Sequence, residues 1–204
     1  DAKLGGISRS LPELASALAC SEIEVDLFYP ASSDRAGILN NAACLREWPL
    51  GQTATGSQSS LWEALGRVVD EGCAKHDILI HHSGIWLPFA RAVARFARGR
   101  KLPLIVAPRG MLEPWAINNS KWKKKLAWIL YQKRDLERVT AFHATALSEA
   151  ESIRRLGFKQ PIAVIPNGVE LTKLPQSSII NHQSSDKKTA LFLSRINPKK
   201  GLPM

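Results

Sequence analysis

The chain has no apolar run near the roughly 20 residues that a membrane-spanning helix needs, and its first residues lack the basic-then-apolar order of an export leader. Nothing in it marks a spanning or exported protein. Cysteine is scarce. Cys20, Cys44 and Cys73 are odd in number and lack the paired spacing of a zinc site. They argue against a disulfide framework and against a metal, and for a reducing cytoplasm with the thiols used as small core residues. Acidic residues are also short, 18 against 28 lysines and arginines in 204 residues, for a net charge of +10. That excess attracts polyanions without choosing among nucleic acid, anionic lipid and nucleotide phosphates. No stacking-aromatic platform or nucleic-acid motif accompanies it, so no nucleic-acid partner is expected. The 45% hydrophobic content excludes a disordered chain.

What is present is an alternation of strand and helix patterns. Leu11, Leu14, Ala15 and Leu18 share a helical face, with Pro12 tolerated in the first turn. Ile23 to Tyr29 alternates as a strand, while residues 31–59, rich in Ser, Gly, Asn and Ala, read mostly as loop. A helix on Leu61, Leu65, Val68 and Val69 follows, then a strand at 78–80, a helix at 89–96 and a strand at 104–106. Residues 120–137 read as one helix, 140–143 as a strand, and Ser148 with Glu151 as a capping box opening a helix that stops at Gly157 before a strand at 162–165. Alternation of this kind predicts a Rossmann-like, doubly wound parallel sheet. The polar stretch 171–188 reads as a linker, dividing a domain over 1–170 from the start of a second at 189–204. Gly5 and Gly6 stand so close to Asp1 that a strand is expected upstream of it.

In an open parallel sheet ligands bind beyond the carboxyl ends of the strands. The residues expected there are His81, His82 and Ser83; Pro108, Arg109 and Gly110; His143 and Thr145; Asn167 and Gly168. Three of the chain's five histidines fall on this edge, where a histidine serves either as a structural hydrogen-bonder or as a participant in chemistry. Gly5-Gly6 before a helix is either a tight turn or a place where backbone N–H groups approach a phosphate. Ala107 to Trp115 brings a cation, a flexible glycine, an acid (Glu113) and an aromatic (Trp115) into one loop suited to a polar cleft. Lys121, Trp122, Lys124 and Lys125 belong to a basic amphipathic helix with Trp122, Leu126, Ile129 and Leu130 on one side. Such a helix either lies on an anionic membrane surface or packs that side into the core.

The 107–115 loop, the Lys-rich Trp helix, His143-Ala144-Thr145, the 148–151 helix start, Pro166-Asn167-Gly168-Val169 and the strand and loop through Arg195 and Lys200 together resemble glycosyltransferases of the GT-B fold, family 4. The likeness is to a bacterial subgroup that builds surface polysaccharides. It covers nearly the whole chain in order. It implies an acceptor-binding N-terminal domain and a donor-binding C-terminal one, with a UDP- or GDP-linked sugar as donor, a glycan or lipid-linked acceptor, retention of anomeric configuration, and neither cofactor nor metal. Carried onto this sequence, Gly5, Gly6, Arg195 and Lys200 would hold the donor diphosphate, and Arg9, Trp86, Gly110, Glu113 and Trp115 would line the acceptor side. Asn167 and Gly168 would form the hinge, and His81 and Arg109 would stand at the reacting centre. Two positions depart from the pattern. The family often has His where Arg109 stands, and an arginine cannot shuttle a proton at neutral pH. Ser83 replaces a histidine of the family's His-x-His-Gly, leaving His81 in place. The paired glutamates of the family would lie beyond Met204, so this stretch alone is expected to be inactive. The alternative expectation is a non-catalytic binding domain for anionic lipid or glycan.

Overall fold

The computed structural model describes residues 7–30, 43–50, 58–72, 77–86, 88–118 and 121–168. Its elements run α1 (Ile7–Cys20), β1 (Val25–Pro30), β2 (Leu45–Leu50), α2 (Gln58–Gly72), β3 (Ile80–Ser83), α3 (Pro88–Arg100) and β4 (Leu104–Ala107). Then come α4 (Pro114–Asn118), α5 (Lys121–Ala127), a π-helical turn (Trp128–Gln132), α6 (Lys133–Leu136), β5 (Ala141–Ala144), α7 (Leu147–Arg155) and β6 (Ile162–Val164). The chain divides into two units, Asp1–Gly168 and Val169–Met204. The expected linker at 171–188 and second domain at 189–204 lie outside the described residues, as do Gly5, Gly6, Arg195 and Lys200.

All the described strands pair in parallel, β1 with β2 in one sheet and β3-β4-β5-β6 in a second. The expected mixed α/β architecture with helices between parallel strands is the one adopted. Because β3 to β6 follow one another in sequence and in space, right-handed crossovers put α3, the helices of 114–136 and α7 on a single face. The core sits under them: Val93, Phe96 and Ala97 of α3, Leu136 and Ile153 pack with Val106, Phe142 and Phe158. Helix α2 joins this layer, Trp62 meeting Phe96 edge-on at 5.9 Å.

Local departures from the sequence reading have local causes. Helix α1 starts at Ile7, so Pro12 lies inside the helix rather than in its first turn; the proline is fully buried there, its ring traded for a lost N–H bond. Strand β2 emerges within the stretch read as loop, because Leu45 to Leu50 pairs with Val25 to Pro30 and Trp48 stacks on Phe28 at 5.8 Å. Strand β3 begins two residues later than its apolar run, at Ile80, so His81, His82 and Ser83 lie in the strand rather than beyond it. Register against Leu104–Ala107 of β4 decides this. Cys20 is exposed and Cys44 half-buried, so neither serves the core; Cys73 lies outside the described residues.

Candidate functional site at the carboxyl edge of the sheet

Beyond the carboxyl ends of β3 and β4 the backbone turns through the left-handed region at Gly84 (φ 91), Trp86 (φ 73), Arg109 (φ 55) and Gly110 (φ 75). Glycine accepts such angles, whereas Trp86 and Arg109 hold them against a steric cost of roughly 1–3 kcal/mol each. The compensating bonds are visible. Trp86 Nε1 donates to the Met111 carbonyl at 3.3 Å, and its N–H points at Gln132 Oε1 at 3.4 Å. Gly110 N–H donates to Glu149 Oε1 at 2.5 Å.

Glu149 is the organising carboxylate. Fully buried in the first turn of α7, it also accepts from Thr145 N–H at 2.7 Å and Thr145 Oγ1 at 2.8 Å through Oε2. It thereby ties the loop after β4 to the loop after β5. This replaces the expected capping box: α7 is preceded by Ala146 with no side-chain cap, Ser148 lies inside the helix, where its carbonyl accepts from Ser152 Oγ, and Glu151 faces Arg155 on the surface. The Thr145-x-x-x-Glu149 spacing was the signal available in the sequence.

His81 and His143, on β3 and β5, bring rings together with His81 Nε2 and His143 Nδ1 3.1 Å apart. His143 Nε2 lies 2.9 Å from the Ile165 carbonyl. A carbonyl only accepts, so Nε2 of His143 carries a hydrogen; in the neutral pair its Nδ1 then accepts from His81 Nε2–H. The His81 ring is left with its Nδ1 lone pair, unpartnered among the described residues. Burial, then the neighbouring His143, then Arg109 lower the His81 pKa to about 4. His82, pointing to the other side, is lowered to about 4 by burial first and His81 second. Its Nε2 and Ser83 Oγ are buried without a hydrogen-bond partner among the described residues.

Arg109, at the tip of the strained turn, donates from Nη1 to Asn167 Oδ1, reaching across from β4 to the end of the unit. Burial pulls its pKa down, and Glu149 opposes this; a guanidinium remains charged all the same. Asn167 and Gly168 are exposed. Glu113 N–H closes a turn on the Gly110 carbonyl at 3.3 Å, and Trp115 on α4 is exposed. Arg9 and Lys121 lie in α1 and α5 with their side chains outside the described residues. The edge thus gathers His81, Arg109, Gly110 and Asn167 with His143, Thr145 and Glu149 behind them: a fixed cation beside the neutral imidazole of His81, suited to binding an anionic or hydroxyl-rich ligand.

The glycosyl transferase 4-like domain model matches residues 5–168. The chain belongs to that glycosyltransferase family. Membership gives glycosyl transfer as its chemistry, with a nucleotide-sugar donor and an acceptor as substrates. A search of curated proteins finds no significant match. The carboxyl edge is where open parallel sheets generally bind ligands, and no described helix is long and apolar enough to cross a membrane.

Proposed function

We propose that the chain supplies the acceptor side, and the opening of the donor side, of a retaining transferase. It moves a sugar from a UDP- or GDP-linked donor to a glycan or lipid-linked acceptor in surface polysaccharide synthesis, in the cytoplasm and on the inner face of the membrane. One observation supports this most directly: Arg109 is held at a strained turn on the ligand edge, bonded to Asn167 and beside the His81–His143 pair. A cation held there before substrate arrives stabilises negative charge as it develops on a departing diphosphate, without reorganisation. His81, neutral near pH 7, orients a hydroxyl through its free lone pair, and no proton need pass through Arg109. Gly5, Gly6, Arg195 and Lys200 are assigned to the diphosphate. Arg9, Trp86, Gly110, Glu113 and Trp115 are assigned to the acceptor, with Asn167 and Gly168 as hinge.

The test is nucleotide release from a panel of UDP- and GDP-sugars by the protein as its gene encodes it. Donor-dependent release is expected, abolished by Arg195→Ala and Lys200→Ala. It should drop about 100-fold in kcat for Arg109→Ala, the usual scale for one preorganised charge donor. A folded protein that neither binds nor turns over any donor would hand the case to a glycan- or lipid-binding module.

A further inference from the structure

The segment from Lys121 to Leu136 has two apolar faces where a surface helix needs one. The inward face carries the fold: Trp128 lies 6.0 Å from the rings of both Trp86 and Phe158, and Gln132 and Leu136 are buried. The outward face carries Trp122, Leu126, Ile129 and Leu130, spaced i, i+4, i+7, i+8, at 70%, 52%, 70% and 66% exposure. The row that pattern alone allowed into the core is therefore the one facing out. Lys133 on this segment pairs with Glu137 at 3.9 Å, while the sequence that carries the row is basic. Between Glu113 and Asp135 the sequence has no carboxylate but six cations, Lys121, Lys123, Lys124, Lys125, Lys133 and Arg134. Lys125 and Arg134 make no ion pair among the described residues, and both are exposed.

We propose that this outward face docks on an anionic lipid bilayer. The four apolar side chains enter the interface and the flanking cations meet lipid phosphates, the arrangement that holds a helix in the headgroup plane. A second copy of the chain is a poor occupant, since it would bring the same cations against these. The same segment also grips the ligand edge from behind. Lys124 turns inward, its Nζ donating to the Ala116 carbonyl at 2.6 Å and lying 5.7 Å from the Trp86 ring, while Gln132 holds the Trp86 N–H. Resting on the glycosyl-transfer reading, docking sets the 110–118 loop and Trp86 against the leaflet from which a lipid-linked acceptor arrives.

Co-sedimentation of the chain with vesicles tests this without donor or acceptor. Binding to phosphatidylglycerol vesicles is expected at low salt, at least tenfold weaker in 0.5 M salt and on neutral phosphatidylcholine vesicles. Ile129→Ser with Leu130→Ser, both exposed positions, should cut binding at least tenfold while leaving circular dichroism and the thermal midpoint unchanged, and Lys125→Glu should weaken binding to the anionic vesicles alone. Absence of binding, or binding untouched by the double variant, overturns the proposal. So does a dimer in light scattering that the double variant dissolves, since the face would then belong to a second copy. Vesicle binding with no nucleotide release from any donor would sink the functional reading and leave the docking face standing; release without vesicle binding would do the reverse.

Discussion

The two ends of the four-stranded sheet are built from the same residue types and treat them in opposite ways. At the carboxyl end, Glu149 is fully buried and accepts three hydrogen bonds from two loops, two histidines are locked to each other and to a carbonyl, and four residues turn through left-handed backbone. At the amino end, Arg98, Lys101, Asp135, Arg138 and Thr140 line an open cavity. There Asp135 meets Arg98 only at 3.6 Å, with its second oxygen unpartnered among the described residues. One end concentrates buried, bonded polarity; the other leaves its charges loosely placed, although Lys101 there also turns through the left-handed region (φ 55). Strained backbone persists where surrounding bonds over-determine it, and at the carboxyl end, where parallel sheets receive ligands, the bonds to Met111, Gln132 and Glu149 supply that.

The largest effect that would sharpen this contrast is at Glu149. Glu149→Ala leaves three buried donors without an acceptor and should cost about 3 kcal/mol or more. Asp135→Ala should cost under about 1 kcal/mol, as loosely paired, partly exposed ions do. Equal shifts in the urea midpoint for the two variants would erase the distinction between the ends. Acid comes next. His82 is held neutral in the fold, so between pH 6.5 and about 4 the unfolded chain binds a proton that the native one refuses. Stability is therefore present in full above 6.5 and lost as pH falls through that window, by up to about 3 kcal/mol for this residue. His82→Leu should roughly halve the slope of that limb in pH-dependent unfolding, the remainder coming from His81, whose pKa is lowered alike. Asp135 acts with the opposite sign. Burial, partly offset by Arg98 and its neighbours, raises its carboxyl, so its cost is present at neutral pH and disappears as pH falls through its folded value. The narrowest contrast is at glycine. Gly84→Ala at the ligand edge (φ +91, with Met111 Cε 3.5 Å from the added carbon) should cost about 1–2 kcal/mol. Gly157→Ala after α7 (φ +89, nothing within 4 Å) should cost about 1 kcal/mol, strain alone. A thermal-unfolding difference of the reverse order would show that the Met111 contact yields freely.

Legibility in the sequence follows the range of the interaction. Helices α2 and α3 and strand β4 stand where periodicity puts them, and Gly157 ends α7 as its position after the helical pattern requires, because each depends on neighbours within a turn or two. Strand β2 does not show in its own residues, since what makes Leu45–Leu50 a strand is the register against Val25–Pro30. Arg109 and His81 are visible as polar residues near strand ends. Glu149 escapes because its donors come from position 110 as well as 145, and the His81–His143 bond joins residues 62 apart in the chain.

By itself the sequence determined the alternating α/β class, the family resemblance, the basic balance and the edge on which chemistry-bearing residues collect, since composition and short-range spacing carry all four. Tertiary structure alone decided that the His81 and His143 rings meet, that Glu149 binds two loops, and that the row from Trp122 to Leu130 faces outward while Trp128 and Gln132 turn in. Those outcomes depend on which element packs against which, and the spacing along a single helix is compatible with either face meeting the core.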